Sequence, residues 1–284
     1  MSTIGTYVYC VLAARKPPQV PRGVSGPPGA GRPRLLPLTP GRYLAVSDAP
    51  LDRFGQEQVG AYLSDLQWVS RAAVAHEAVI ASLLARSDAI VPMKLFTIFA
   101  SDDRAIHQTL SDWPRIERVL RRVTDQVEWG VRLSLDERRQ SKSSGAGKAA
   151  SGIDYLRAKR RIHTAAAERS RSQRRQVTAT LRALSAVATD ARPRDIANAP
   201  DDKRRLLMDA AFLVPRKRAV RFRTVVKRHA RELARSGYRV QLTGPWPPYS
   251  FIEDGKRTPP GGEPRPRSSR PAKTQAFSIS STRS

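Results

Sequence analysis

Residues 126–135 read Gln-Val-Glu-Trp-Gly-Val-Arg-Leu-Ser-Leu. Val127, Trp129, Val131, Leu133 and Leu135 alternate with Glu128, Gly130, Arg132 and Ser134, the period of two that a strand shows when one face meets a core. The stretch just before it keeps a different period. Ile116, Val119, Leu120 and Val123 recur at spacings of three and four, which gathers them on one helix face. Pro114 suits the first turn of that helix, with Asp112 as its cap. A helix running into a strand shows a chain that mixes the two kinds of element.

Upstream, residues 90–99 (Ile-Val-Pro-Met-Lys-Leu-Phe-Thr-Ile-Phe) are rich in β-formers. Pro92 cannot donate to a ladder and implies an edge position, a bulge or a strand start. Ser101-Asp102-Asp103 is a helix start, a capping hydroxyl with two carboxylates at the positive end of the dipole, and Ile106 and Leu110 are expected on its inner face. Two helices precede this run. The first spans residues 56–66 with Val59, Tyr62, Leu63 and Leu66 at spacings near 3.6; the second spans residues 67–86 with an apolar stripe of Val69, Ala72, Ala73, Val79, Ile80, Leu83 and Leu84. Residues 43–46 form a short strand that Asp48 and Pro50 end. Residues 15–40 are dense in Pro and Gly (Pro17, Pro18, Pro21, Pro27, Pro28 and Pro33 among them) and predict a long mobile excursion. Residues 4–12 are an apolar run fit for a central strand covered on both faces.

Downstream, residues 137–151 break the composition with charge, then Ser, Gly, Lys and Ala, and read as a linker. A long helix is expected over residues 153–187. Tyr155, Leu156 and Ile162 lie in its first turns and Val177, Leu181 and Leu184 in its last. Arg169, Arg171, Arg174 and Arg175 interrupt the heptads between them, which argues against a continuous coiled coil. That Arg-rich stretch is either a solvated face or a docking stripe for an acidic surface. Residues 188–200 read as a loop. A strand over 206–214 follows, then a helix with Ala219, Phe222, Val225, Val226, Ala230 and Leu233 on one face. Gly237 stops that helix at the left-handed position, and residues 238–243 are a last strand. The expected organisation is an N-terminal domain over 1–136, a linker over 137–151, a C-terminal domain with a long basic helix over 152–254 and a disordered basic tail over 255–284.

The chain has 284 residues with 40% apolar side chains, enough for two modest cores. Its formal charge is +26 and its pI about 11.4. That balance favours acidic partners: nucleic acid, anionic membrane or an acidic protein surface. A single cysteine, Cys10, permits no internal disulfide and reads as a small buried hydrophobe. No apolar stretch reaches the roughly 18–20 residues of a membrane span. The run at 4–14 lacks the basic flank of a signal peptide. A cytoplasmic location is expected.

Local signatures of catalysis are missing. His76-Glu77 opens a zinc-protease pattern, but Ile80 stands where the second histidine belongs, so His76 reads as a packed or capping residue. Gly145-Ala-Gly-Lys148 lacks the earlier glycine of a phosphate loop and has Ala149 in place of its hydroxyl residue. No cofactor or metal is expected.

Three segments are unusual in combination: Pro92, Lys94 and Phe96 within residues 90–99; Glu128-Trp129-Gly130; and the closing run Gly244, Pro245, Trp246, Pro247, Pro248, Tyr249, Ser250, Phe251. With the opening Tyr7-Val-Tyr9 and with Tyr155-Leu156 at the long helix, their succession over residues 6–254 resembles the gas vesicle F/L family. The resemblance implies two α+β domains, the first ferredoxin-like and the second a modified ferredoxin-like fold with extra long helices and a tail. It implies an accessory role in gas vesicle assembly without catalytic residues. The implied partners are the main shell protein and other gas vesicle accessory proteins, and the implied location is the vesicle, on the gas-facing surface of the shell. The motif residues either hold the fold together or touch the partner. A basic nucleic-acid-binding protein is the competing reading. It is disfavoured by the lack of a helix-turn-helix, zinc-finger or RNA-recognition signature. The chain departs from the family pattern in its long Pro/Gly stretch, its positive charge and its basic tail.

Overall fold

The computed structural model describes residues 4–136, 152–194 and 205–252. The expected linker at 137–151 and the expected disordered tail at 255–284 lie outside the described residues. Two antiparallel sheets carry the fold. The first contains β1 (Ile4–Ala13), β2 (Arg34–Thr39), β3 (Arg42–Pro50) and β4 (Ala89–Pro92) in the order β2-β3-β1-β4, and β5 (Ile98–Phe99) also pairs with β1. The second contains β6 (Gln126–Leu135), β7 (Asp190–Pro193), β8 (Arg205–Pro215) and β9 (Tyr238–Trp246) in the order β7-β8-β6-β9.

The apolar run at the N-terminus is central, as its composition requires: Tyr7 to Leu12 are fully buried. Both faces are covered. A bulge after Val8 pairs Val8 with Val46 and Cys10 with Ala45, so Tyr9 has no opposite number. Tyr7, Tyr9, Cys10 and Leu12 therefore pack in one cluster, and Val8, Val11 and Ala13 in the other. The first cluster meets α3 (Leu66–Leu84) through Val79, Ile80 and Leu83. The second meets α5 (Trp113–Val123) through Ile116, Val119, Leu120 and Val123, the four residues whose spacing marks that face. Two short helices, α1 (Leu51–Phe54) and α2 (Gln56–Tyr62), precede α3, and α4 (Asp102–Ser111) precedes α5.

Several expectations need correction. Residues 15–40 are not one long excursion, because Arg34–Thr39 is β2, paired with β3 through a turn at Gly41. Apolar side chains at positions 35, 36 and 38 make that strand despite Pro37, which an edge strand tolerates. The segment before it is held in place: Gly31 N donates to Asp48 O at 2.8 Å, and Val20, Val24 and Ala30 pack on the core. β3 is longer than expected, since Asp48 stays in the ladder and only Pro50 ends it. The run at 90–99 is split: Pro92 closes β4, and Phe96, with φ 61°, turns the chain before β5. Ser101 does cap α4, accepting from Arg104 N, but Ala105 and Thr109 face inward while Leu110 is 38% exposed. Asp112 precedes α5 without a side-chain capping bond; its carboxylate pairs with Arg115 at 2.6 Å instead. In the span read as a loop at 188–200, Asp190–Pro193 is β7.

The largest correction concerns β6. Its bounds match the alternating stretch, yet it belongs to the second sheet, not the first. It pairs along most of its length with β8 on one side and β9 on the other. The second sheet is therefore built by the succession β6, α6 (Gly152–Ser185), β7, β8, α7 (Ala219–Ala234), β9. Gly237, at φ 80°, turns the chain from α7 into β9, as expected. The end of α6 (Leu184) and the inner face of α7 (Phe222, Val226, Leu233) cover Trp129, Val131, Leu133 and Phe212. Residues 1–254 form one compact unit. The two sheets share both apolar clusters, since Ala211, Leu213 and Phe251 join the α5 cluster. Arg216 strengthens that union. It leaves the end of β8 and donates to Leu84 O at 2.6 Å and Ser87 O at 3.3 Å, satisfying carbonyls at the C-terminus of α3. No described helix is long and apolar enough to cross a membrane.

Phe222 is fully enclosed between α7 and the second sheet. Phe222→Ala is expected to lose about 3–5 kcal/mol of stability in urea unfolding. Val220→Ser, on the same helix but 70% exposed, is expected to stay within about 0.5 kcal/mol of wild type.

Candidate functional site

Glu128, the third residue of β6, is 1% exposed. A carboxylate removed from water must be paired and hydrogen-bonded or it destabilises the fold by several kcal/mol. Three donors meet it. Arg194, just past β7, makes a short charge-assisted contact with Oε1. Ser250 N donates to Oε2 at 2.8 Å and Ser250 Oγ to Oε1 at 2.9 Å. Arg194 is itself held by its backbone N–H on Asp209 O at 2.9 Å, and its guanidinium lies 3.7 Å from the Asp209 carboxylate. Arg132 Nε completes the group on Asp209 at 2.8 Å. Arg192 donates to Ser250 O at 2.7 Å and lies 5.2 Å over the Phe251 ring.

The closing run reaches Glu128 through a bulge. Glu128 opposes Trp246 and Gly130 opposes Thr243, so Trp129 faces both Gly244 and Pro245. The Gly244–Pro245 peptide bond is cis, and Gly244 has φ 115°, a conformation glycine adopts without penalty. A Cβ at Gly244 would come within 2.8 Å of Glu128 O. At Gly130 it would meet Thr243 Oγ1 at 2.6 Å. Past the bulge, Pro247 and Pro248 are buried and Phe251 is fully enclosed, while Trp246 stays 42% exposed. Tyr249 extends to the first sheet's helix and donates to Glu77 of α3 in a short contact. Burial pushes the Glu77 carboxyl up, and the Tyr249 hydrogen bond partly offsets that rise.

The structure thus brings together two of the three motif segments, residues 128–130 and 244–251. The third lies on the first sheet. Pro92 pairs with Cys10, Lys94 is exposed, and Phe96 stacks on Trp68 at 5.3 Å with its N–H on the Tyr7 hydroxyl. Arg192, Arg194 and Asp209 escaped the sequence reading, and Ser250 entered it only as part of the closing run. Their signal was available: Glu128 and Asp209 are acids inside apolar strand runs, and an acid there needs a cation from elsewhere.

His76 is buried with Nδ1 2.9 Å from the Tyr7 hydroxyl. Loss of water holds its pKa down to about 4, against which a backbone hydrogen bond at Met93 acts weakly. Burial pushes the Cys10 thiol and the Tyr7 phenol well above their usual ranges, and the Tyr9 phenol up to about 12. Each of these upward shifts favours the protonated form at neutral pH. Among the described residues no group of three or more His, Cys, Asp or Glu side chains is arranged to hold a metal. What the arrangement does is join segments: it locks the C-terminal turn onto β6 and ties that turn to α3.

The model of the family described as gas vesicle synthesis protein GvpL/GvpF matches residues 5–253. Gas vesicle protein L of Streptomyces sp. (strain CB03234) is 35% identical over 263 residues, covering 86% of this chain and 91% of that protein. Gas vesicle protein F of the same strain is 30% identical over 268 residues, covering 88% of this chain and all (100%) of that protein. The crystal structure of the gas vesicle protein GvpF from Anabaena sp. PCC7120 shares the fold with a TM-score of 0.64 at 14% identity, covering 89% of this chain and 97% of that one.

Glu128→Ala would leave Arg194 and Ser250 N without their acceptor. An expected loss of about 3 kcal/mol in urea unfolding reflects a pair in which Arg194 is still one-third exposed. Glu128→Gln, which keeps an acceptor, is expected to lose about half as much. A second expectation concerns pH. The unfolded chain protonates His76 near pH 6.5, whereas the folded chain does so only near pH 4. Between those values the unfolded state binds more protons. Stability therefore falls as pH drops through that window, by at most about 1.4 kcal/mol per unit. Urea midpoints at pH 7 and pH 5 should draw closer together in His76→Gln than in wild type; an unchanged gap would show that His76 does not titrate on unfolding.

Proposed function

The chain belongs to the gas vesicle synthesis protein GvpL/GvpF family and is a gas vesicle accessory protein, and from that membership we propose that it promotes assembly by binding the main shell protein without catalysing a reaction. The observation that carries this reading is the family match over residues 5–253, which includes both sheets and the whole Glu128 junction. The chemistry of the junction supports it. Its charged groups are occupied in holding segments together. Recognition then falls to the surface that this rigid body presents. Other gas vesicle accessory proteins are proposed as further partners. The proposed site of action is the cytoplasm during assembly and the gas-facing side of the shell afterwards.

The architecture is read in finer terms as two ferredoxin-like units. The succession β6-α6-β7-β8-α7-β9 with its strand order β7-β8-β6-β9 supports this for the second sheet. The order β2-β3-β1-β4 supports it for the first, with the Pro- and Gly-rich segment between β1 and β2 standing where a first crossover helix would run. On this reading the division falls at the turn before β6, and not at residues 137–151.

Deleting the gene in its host is expected to abolish vesicles in electron micrographs, with re-expression restoring them. Purified full-length chain is expected to retain the main shell protein on a column at about 150 mM salt, where exposed charge contacts are screened beyond about 8 Å. Normal vesicles in the deletion strain would overturn the accessory role itself. Loss of vesicles without any retained complex would overturn only the shell-binding part.

A further inference from the structure

Helix α6 is 34 residues long, about 50 Å at the α-helical rise. Among its described side chains the anchor lies at the C-terminal end: Thr180 and Leu184 are buried, and Val177 and Leu181 pack beside them. From 157 to 175 every described side chain is exposed except Ala165 and Gln173, which are half-buried. The helix carries nine Lys and Arg against two Asp and Glu. None of the cations described between 157 and 175 has an ion-pair partner.

The positions of these cations are not uniform. At 100° per residue, Arg157, Arg160, Arg161, Arg171, Arg174 and Arg175 fall on one stripe about 140° wide and about 27 Å long. The anchored residues Val177, Thr180 and Leu184 lie on the other side of the helix, so the stripe points away from the sheet. Arg157 with Arg161 and Arg171 with Arg175 are like charges at i,i+4, each pair unfavourable for an isolated helix. Glu168 is the single carboxylate on the stripe. A helix without a packed face is normally stabilised by many opposite-charge pairs along its length. Among the described residues this one lacks them, and no described carboxylate pairs with the stripe.

From this we infer that the outward stripe of α6 is a docking strip for an acidic helix of a partner protein. A carboxylate row at heptad or i,i+4 spacing on a straight helix would face the guanidinium row along its full length, and guanidinium groups bind carboxylates in a bidentate fork. Duplex DNA matches the stripe less well. Its groove faces a straight rod for only half of its repeat of about 34 Å, which is shorter than the stripe. Single strands are bound by stacking on aromatics, and the one described aromatic side chain on α6 and α7, Phe222, is fully buried. The docking strip goes beyond shell-protein binding and does not depend on it.

The test uses full-length protein and three probes: a 28-residue helical peptide with a glutamate stripe in an Ala/Gln background, a 20-base-pair DNA duplex and vesicles of phosphatidylcholine with phosphatidylserine. R157E/R161E/R171E/R175E is compared with K16E/R22E/R32E/R104E, which changes net charge equally at exposed positions elsewhere. At about 150 mM salt the peptide is expected to bind wild type more tightly than duplex or vesicles do. Its Kd should rise at least tenfold in the α6 variant and less than threefold in the control. A lysine-stripe peptide should bind the α6 variant and not wild type, which separates lost complementarity from lost folding. Equal losses in both variants, no charge-swap rescue, or tighter binding of duplex or vesicles would each overturn the docking strip.

Discussion

A carboxylate that folding takes almost wholly out of water governs this structure. Glu128 sits in the central strand of the second sheet, and its desolvation is tolerable only if donors from other segments converge on it. Arg194 arrives from the end of β7 and Ser250 from the C-terminal turn. Seating that turn has further consequences. Phe251 enters the cluster built by α5 and both sheets, and Tyr249 comes within reach of Glu77 on α3. The bulge opposite Trp129 makes the approach possible, because Gly244 lies where any Cβ would collide with the Glu128 carbonyl. The closing Gly-Pro-Trp-Pro-Pro-Tyr-Ser-Phe run is therefore a set of separate requirements met in order: a left-handed residue, buried prolines, a hydroxyl for α3, a donor for Glu128 and a ring for the core.

A second junction works alongside the first. Arg216 caps the carbonyls at the end of α3, and Asp125 N donates to Asp88 O at 2.7 Å just before β6 begins. Burial lowers the Arg216 pKa, while Asp125 and Asp88 counter that effect. With α3 tied to the second sheet at Glu77 and again at Leu84, the two sheets are fastened at two points along one helix. Relative motion of the halves would have to break the shared apolar clusters and expose these polar contacts together.

Much of this was legible from residue spacing. The inward face of α5, the cap at Ser101, the bounds of β6 and the turn at Gly237 all follow from local chemistry, and the structure has them where spacing puts them. What was hidden is non-local. Nothing near residues 126–135 says which sheet they join, since sheet membership depends on partners about eighty residues and more away in β8 and β9. β2 was hidden because prolines around it mask a short apolar alternation, and β7 because Asp-Ala-Arg-Pro has no apolar pattern at all. The Tyr9 bulge moves Tyr9 and Cys10 into one cluster, which strict alternation cannot anticipate. Of the candidate site, Glu128, Gly244 and Tyr249 were identified by motif. Arg194 was missed because its value depends on a buried carboxylate that lies far away in the chain.

The distribution of charge follows from the same physics. Inside the folded body cations are matched. Arg194 and Arg132 serve Glu128 and Asp209, Arg34 bridges Asp48 and Asp102, and Arg42 meets Glu117. The Arg34 guanidinium holds the Asp102 carboxyl below its usual range, aided by the Thr6 hydroxyl at 2.7 Å. Burial makes pairing necessary for Glu128 and Asp209, whereas Arg34 meets Asp48 at the surface, with side-chain exposures of 37% and 52%. The surplus behind the charge of +26 is left for surfaces, and α6 takes a large share of it on its exposed stretch between 157 and 175. Self-repulsion along such a helix opposes its own formation, and packing on the sheet compensates only at its anchored end. A body stabilised by buried pairs thus carries an arm whose described cations have no carboxylate of the described residues to meet, the condition from which the docking strip is inferred.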